Sequence, residues 1–163
     1  MDIDAKELEE AKSFLKEDFP LMLAQLRPDA ERQWGLMTPQ HMVEHLIVVF
    51  KMSIGRINLP VVSPEEEHDR IRAYLIKDRP MRRSVPSPNG SNELQKLRSP
   101  DIESAKEKVL AEAEHFLNFV EEKPGFLANH PYGSPMTAEQ WLLFHKKHIK
   151  HHFIQFAVIP DYE

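Results

Sequence analysis

The chain contains no cysteine. Disulfides, thiolate metal ligands and a cysteine nucleophile are excluded together, and the absence suits a cytoplasmic protein. Glycine is scarce, at 5 of 163 residues, and no glycine-rich phosphate loop occurs. No apolar run approaches the roughly 18 residues of a membrane helix. The opening Met1-Asp2-Ile3-Asp4-Ala5-Lys6 lacks the apolar segment of a secretory signal. Positive charge is not in excess. With 21 Lys and Arg against 26 Asp and Glu, the net charge is −5, a poor balance for gripping nucleic acid or an anionic membrane. No internal repeat at a solenoid period is present.

What the chain does have is a globular composition, 41% hydrophobic and 29% charged. That supports one core, and residues 1–163 are expected to form a single domain. Histidine is the outlier: there are nine, and four of them, His145, His148, His151 and His152, crowd into one short stretch.

Apolar residues recur at helical spacing in four segments. Leu8, Ala11, Phe14 or Leu15, Phe19 and Met22 predict a first helix over 4–26, which Pro20 kinks or divides. Thr38 as N-cap and Pro39 at the first position open a second, carrying Met42, His45, Leu46, Val49, Phe50 and Met52, with Gly55 as its stop. Ser99 and Pro100 open a third, through Ile102, Val109, Phe116 and Val120 to about Lys123. Asn129 to Pro135 read as a turn. Thr137-Ala138-Glu139-Gln140 is a capping box for a fourth helix that runs to about Ala157. Between the second and third helices, residues 57–98 read as a long crossover punctuated by Pro60, Pro64, Pro80, Pro86 and Pro88. Within it, a short helix over 65–76 and a turn at Pro88-Asn89-Gly90-Ser91 are expected. The fold class is therefore all-α, a four-helix bundle with one long crossover.

An α-helix advances about 100° per residue. With His148 as the reference on the fourth helix, Trp141 falls about 20° to one side, His152 about 40° and His145 about 60°. Gln155 falls about 20° and Phe144 about 40° to the other side. His148 and His152 thus occupy the middle of the apolar stripe. His151, about 60° out on that second side, sits at its edge. On the second helix, His45 lies between Met42 and Val49 on the buried stripe, where an apolar residue is the norm. Buried imidazoles need partners. A single one is commonly satisfied by a carbonyl or carboxylate, and that reading stays open for each taken alone. Several on facing helices are satisfied together by a metal. His148 and His152, at i and i+4, share one ion, and His45 supplies a third ligand from the facing helix. Three neutral imidazoles suit Zn²⁺, Ni²⁺, Fe²⁺ or Co²⁺.

These segments also carry a family resemblance. Trp34-Gly35-Leu36-Met37-Thr38-Pro39-Gln40-His41-Met42-Val43-Glu44-His45 resembles a block of the DinB-like proteins, W-G-x-M-[ST] followed by a histidine. His130-Pro131-Tyr132-Gly133, Thr137 to Trp141, and His145-Lys146-Lys147-His148-Ile149-Lys150-His151-His152-Phe153-Ile154-Gln155-Phe156 are similar to the tail blocks of one branch of that superfamily. The resemblance covers roughly residues 28–58 and 115–159 and is weak over 60–98. It implies a bundle of the DinB/YfiT type, often a homodimer. It also implies a metal site of three histidines, which carries over to His45, His148 and His152. Some relatives are metal-dependent transferases that use low-molecular-weight thiols.

Other readings compete. His41-Met42-Val43-Glu44-His45 fits H-x-x-E-H, an inverted zinc-protease motif, but Glu44 lies about 100° from His45, toward the flank, where a solvated or salt-bridged carboxylate is expected. His145 is expected as a partly buried histidine paired with a carboxylate, with a fourth-ligand role as the alternative. Gln155 either orients a metal-bound histidine or bonds a neighbouring helix. His130 is expected to fix its turn. His68 and His115 are expected to be exposed. Trp34 and Met37 are expected to staple the start of the second helix. Lys77 to Arg83 is expected as a solvated basic loop, with a grip on an anionic substrate as the weaker alternative. The functional expectation is a metal-dependent transferase or hydrolase acting on a small molecule. The alternative is a non-catalytic bundle with a structural or sensing metal.

Overall fold

A computed structural model describes residues 3–83 and 93–162. The first segment is a helical arm in three parts: α1 (Ala5–Ser13), a π-helical turn (Phe14–Asp18) and α2 (Phe19–Gln25). The Asp4 side chain caps its start by accepting from the Lys6 amide at 2.9 Å. The wide turn precedes Pro20, which has no N–H to give and whose ring would crowd the carbonyl one turn back. The Phe19 amide bonds instead to the Phe14 carbonyl, five residues earlier. Proline thus divides the arm without breaking its course.

The second helix of the sequence is α3 (Pro39–Ser53). Thr38 Oγ1 accepts from the His41 amide at 3.2 Å, and Gly55 takes φ +78° just past the end. The crossover holds a 3₁₀ turn (Glu65–Glu67) and α4 (His68–Ile76), which packs on the last helix. The turn expected at Pro88 to Ser91 lies outside the described residues. The next helix, α5 (Ile102–Glu122), begins later than expected. Asp101 is its cap, accepting from the Ser104 amide at 2.8 Å. Ser99 is otherwise engaged: its amide donates to Glu44 at 3.3 Å and its Oγ accepts from Lys108 at 3.1 Å.

Residues 127–137 correct the expectation of a plain turn. They form an antiparallel hairpin, β1 (Leu127–His130) with β2 (Ser134–Thr137), in register Ala128↔Met136 and His130↔Ser134. Alternation turns Ala128 and His130 inward. The Trp141 indole N–H donates to the Ala128 carbonyl at 3.0 Å, tying hairpin to helix. The protein is mostly helical with this small sheet, rather than wholly α.

The last helix, α6 (Ala138–Gln155), starts in the expected capping box of Thr137 and Gln140. It stops two residues before Ala157. That residue sits at φ +55°, and the Val158 amide bonds back to the Phe153 carbonyl at 2.9 Å, a Schellman-type closure. The core gathers Phe19, Leu23, Phe50, Phe116, Met136, Trp141 and Phe153, contributed by the arm, α3, α5, the hairpin and α6. Among the described residues, no helix is long and apolar enough to cross a membrane.

Candidate metal centre

α3 and α6 pack against each other, and their apolar stripes face the same interior. His45 on α3 and His148 and His152 on α6 therefore meet. Their ligand nitrogens all lie within 4.8 Å of one another. His45 Nε2 is 3.1 Å from His148 Nε2, and His152 Nε2 is 3.0 Å from the same atom. His148 and His152 are buried, and His45 is partly exposed as a residue although its imidazole is desolvated.

Burial pushes the His45 imidazole down to about 4, with a smaller push from His151. His148 and His152 lie well below the ordinary histidine range, first through burial and then through neighbouring imidazoles. All three are neutral at pH 7 and offer lone pairs.

Gln155 fixes which nitrogen of His152 is bare. Its Nε2 donates to the Trp34 carbonyl at 3.0 Å, so its Oε1 is the end that faces His152 Nδ1 at 2.8 Å. That nitrogen must donate, and in a neutral ring Nε2 is then unprotonated. Gln155 therefore orients His152, and its other bond goes to the loop before α3 rather than to a neighbouring helix. Gly35 leaves room for it. A Cβ at Gly35 would stand 2.9 Å from Gln155 Nε2, and its φ of +78° also disfavours other residues.

No placement of protons on neutral rings makes both short N···N contacts into full hydrogen bonds. If His148 Nε2 carries a proton, it donates to only one neighbour. If it does not, it faces the bare Nε2 of His152. Among the described residues, the buried His148 Nδ1 has no hydrogen-bond partner either. A cation at the convergence satisfies all three nitrogens at once, so the donor set fits a divalent metal.

The other histidines separate from this group. His41 Nδ1 lies 2.6 Å from Thr38 Oγ1, at the start of α3. His145 is 1% exposed and, among the described residues, has no carboxylate partner, contrary to expectation, and no hydrogen-bond partner for its Nε2. Its ring stacks on Phe50 at 4.3 Å and meets the Phe116 ring edge-on at 4.6 Å. Burial pushes it down to about 3. His130 is more than a turn residue. It is buried against Trp141 and Phe144, and its Nδ1 accepts from the Tyr132 and Gly133 amides at 3.1 and 3.3 Å. His115 is exposed as expected, but His68 is half-buried, with Nε2 2.9 Å from the Ser63 carbonyl oxygen.

Glu44 is partly exposed and, among the described residues, forms no salt bridge. It accepts from the Arg98 and Ser99 amides at 2.7 and 3.3 Å and from Gln40 at 2.9 Å. Burial raises its pKa, but these hydrogen bonds outweigh that and leave it below the usual carboxylate range. A carboxylate so engaged anchors the crossover to α3, which removes the support for a protease-like base.

A cavity of about 280 Å³ lies beside the cluster, lined by Trp34, Met81, Arg83, Lys147, His151 and Ile154 among others. The three converging imidazoles do not line it. His151 connects the two, with its ring 5.1 Å from His152 and 5.2 Å from Trp34. Trp34 is thus a cavity wall. The basic loop is not merely solvated: Asp78 pairs with Lys150 at 3.0 Å, and Arg83 with Asp161 at 2.6 Å. Lys147 lies about 100° round α6 from His148, and Tyr74 of the crossover packs against it.

The sequence model of the DinB superfamily matches residues 7–156, and the chain belongs to that superfamily. No curated protein and no solved structure matches it.

Proposed function

We propose that this DinB-superfamily chain is a metal-dependent enzyme, a transferase or hydrolase for a small molecule, with His45, His148 and His152 as the ligands of one divalent ion. The observation that carries it is the convergence of three neutral imidazole nitrogens whose mutual contacts no proton arrangement satisfies. Zinc, nickel and iron all suit such a set. A metal held by three protein ligands keeps an open position, at which it acidifies a bound water or thiol.

The chain's own residues supply the frame for that chemistry. Gln155 keeps the His152 lone pair aimed inward and ties it to the Trp34 carbonyl. Phe144, stacked on His148 at 5.0 Å, holds that ring and keeps water from it. We further propose that the arm, α3, α5 and α6 constitute a four-helix bundle of the DinB type, with the segment from Ile54 to Asp101 as its crossover. A homodimer in the cytoplasm belongs to the same proposal.

Cobalt substitution tests the open position. Added thiol is expected to produce a thiolate-to-cobalt charge-transfer band, and chelation is expected to leave the helical circular dichroism signal in place. A cobalt spectrum unchanged by thiol or other small ligands, with unfolding on chelation, would favour a closed structural site and sink the catalytic reading.

A further inference from the structure

We propose that the cavity beside the histidine cluster binds a small organic carboxylate with a flat apolar body. Trp34, Met81 and Ile154 give it apolar walls, and Arg83 and Lys147 give it positive charge.

Lys147 is the first argument. It is 2% exposed, yet it forms no ion pair with a described residue. Asp78, the acid that acts on it electrostatically, pairs instead with Lys146 at 3.8 Å and Lys150 at 3.0 Å. Among the described residues, Lys147 has only the Tyr74 carbonyl as acceptor and the Tyr74 ring face at 3.9 Å. An ammonium withdrawn from water, whose nearest acid is shared by two other lysines, favours an anion in the space beside it.

Arg83 is the second. Its guanidinium lies 3.9 Å from the centre of the Trp34 ring and holds the Asp161 carboxylate at 2.6 Å. The cavity therefore already shows a carboxylate on a guanidinium backed by an indole. Asp161 belongs to the irregular segment after α6 and is about half exposed. It forms no ion pair with Lys147. A free carboxylate that displaces it gains the buried ammonium as a second partner, and its flat body lies against Trp34.

The cavity contains none of the three proposed metal ligands, so as a carboxylate site it stands without a metal. As the substrate class of the metal centre, it rests on the preceding proposal. The two are joined through Trp34, whose carbonyl holds Gln155 against His152.

Benzoate is a suitable probe, with benzamide as its uncharged counterpart, titrated into the full chain while the two indole N–H signals are followed by NMR. Saturable benzoate shifts are expected at Trp34 and not at Trp141, with benzamide at least about tenfold weaker. Arg83→Gln and Lys147→Met are each expected to weaken benzoate about tenfold or more, and Asp161→Asn to tighten it. His45→Ala is expected to leave it unchanged. If Lys147→Met does not fold, the exposed Arg83 and Asp161 variants carry the test. Equal binding of benzoate and benzamide, no saturable shift, or no response to Arg83→Gln and Asp161→Asn would overturn the proposal. So would binding lost in His45→Ala but kept in Arg83→Gln. That result places the carboxylate at the histidine cluster and leaves the metal proposal standing.

Discussion

One face of α6 carries two kinds of buried histidine, and their contrast explains the site. His145 is sealed between Phe50 and Phe116 with its Nε2 unpartnered. One turn on, His148 and His152 are buried to a similar degree, but a third imidazole faces them from α3. Both regions are desolvated and both hold their rings neutral. The difference is convergence. An isolated buried imidazole is a cost carried by its aromatic neighbours, whereas three imidazoles this close to one another could hold a metal ion.

The largest expected effect breaks that contrast directly. His148→Ala removes the nitrogen that touches both others, and zinc affinity is expected to fall at least about 100-fold. His145→Leu is expected to leave it within about twofold. Competition with a chromophoric chelator measures both. A similar loss in the two variants would erase the distinction.

Next in size is the support of His152. Gln155→Leu removes the acceptor on Nδ1 and the bond to Trp34, and a drop of about 10- to 100-fold in zinc affinity is expected. Gln155→Glu keeps the acceptor and is expected to retain most of the affinity, although it can no longer donate to the Trp34 carbonyl. Equal effects of the two would show that Gln155 acts only by packing.

Acid acts on the isolated pair. Burial pushes His130 down to about 4, and burial with a smaller contribution from His130 pushes His145 down to about 3. Below the ordinary value of about 6.5, the unfolded chain takes up protons that the folded chain refuses until those lower values are reached. Their contribution is therefore complete above about pH 6.5 and is lost as pH falls toward 4. Each proton steepens the loss by about 1.4 kcal/mol per pH unit. Urea unfolding of the metal-free protein between pH 7 and 4.5 should show it, and the slope should shrink by about one proton in His145→Leu. An unchanged slope would mean that His145 titrates normally.

The smallest expected effect is on stability at neutral pH. His145→Leu replaces an unpartnered polar atom with apolar volume among phenylalanines, and a gain of about 1 kcal/mol is expected. A loss of similar size would reveal a partner for Nε2, such as a buried water.

Much of this contrast was legible in the chain. The helical periodicity of about 100° per residue placed His45, His148 and His152 on core-facing stripes, because helical spacing is a local property that tertiary packing rarely alters. Thr38 and the Thr137–Gln140 box marked their helix starts for the same reason. What failed depended on distant residues. Ser99 looked like a cap, but Glu44, 55 positions away, holds its amide, so Asp101 caps instead. The hairpin at 127–137 escaped because its strands are four residues each and carry Pro135, too short and irregular for alternation to show. His145 was expected to have a carboxylate because burial usually demands one, but aromatic rings from α3 and α5 surround it. The enclosure of Lys147 depends on Tyr74 from the crossover, which no periodicity along α6 can register.

Zinc titration of the full chain and of His41→Ala, His45→Ala and His152→Ala decides whether the three imidazoles hold one ion. One tight zinc per chain is expected in the unsubstituted chain and in His41→Ala, whose ring sits with Thr38 outside the cluster, and its loss is expected in the other two. No saturable zinc binding, or tight binding that survives in His45→Ala, would contradict that reading.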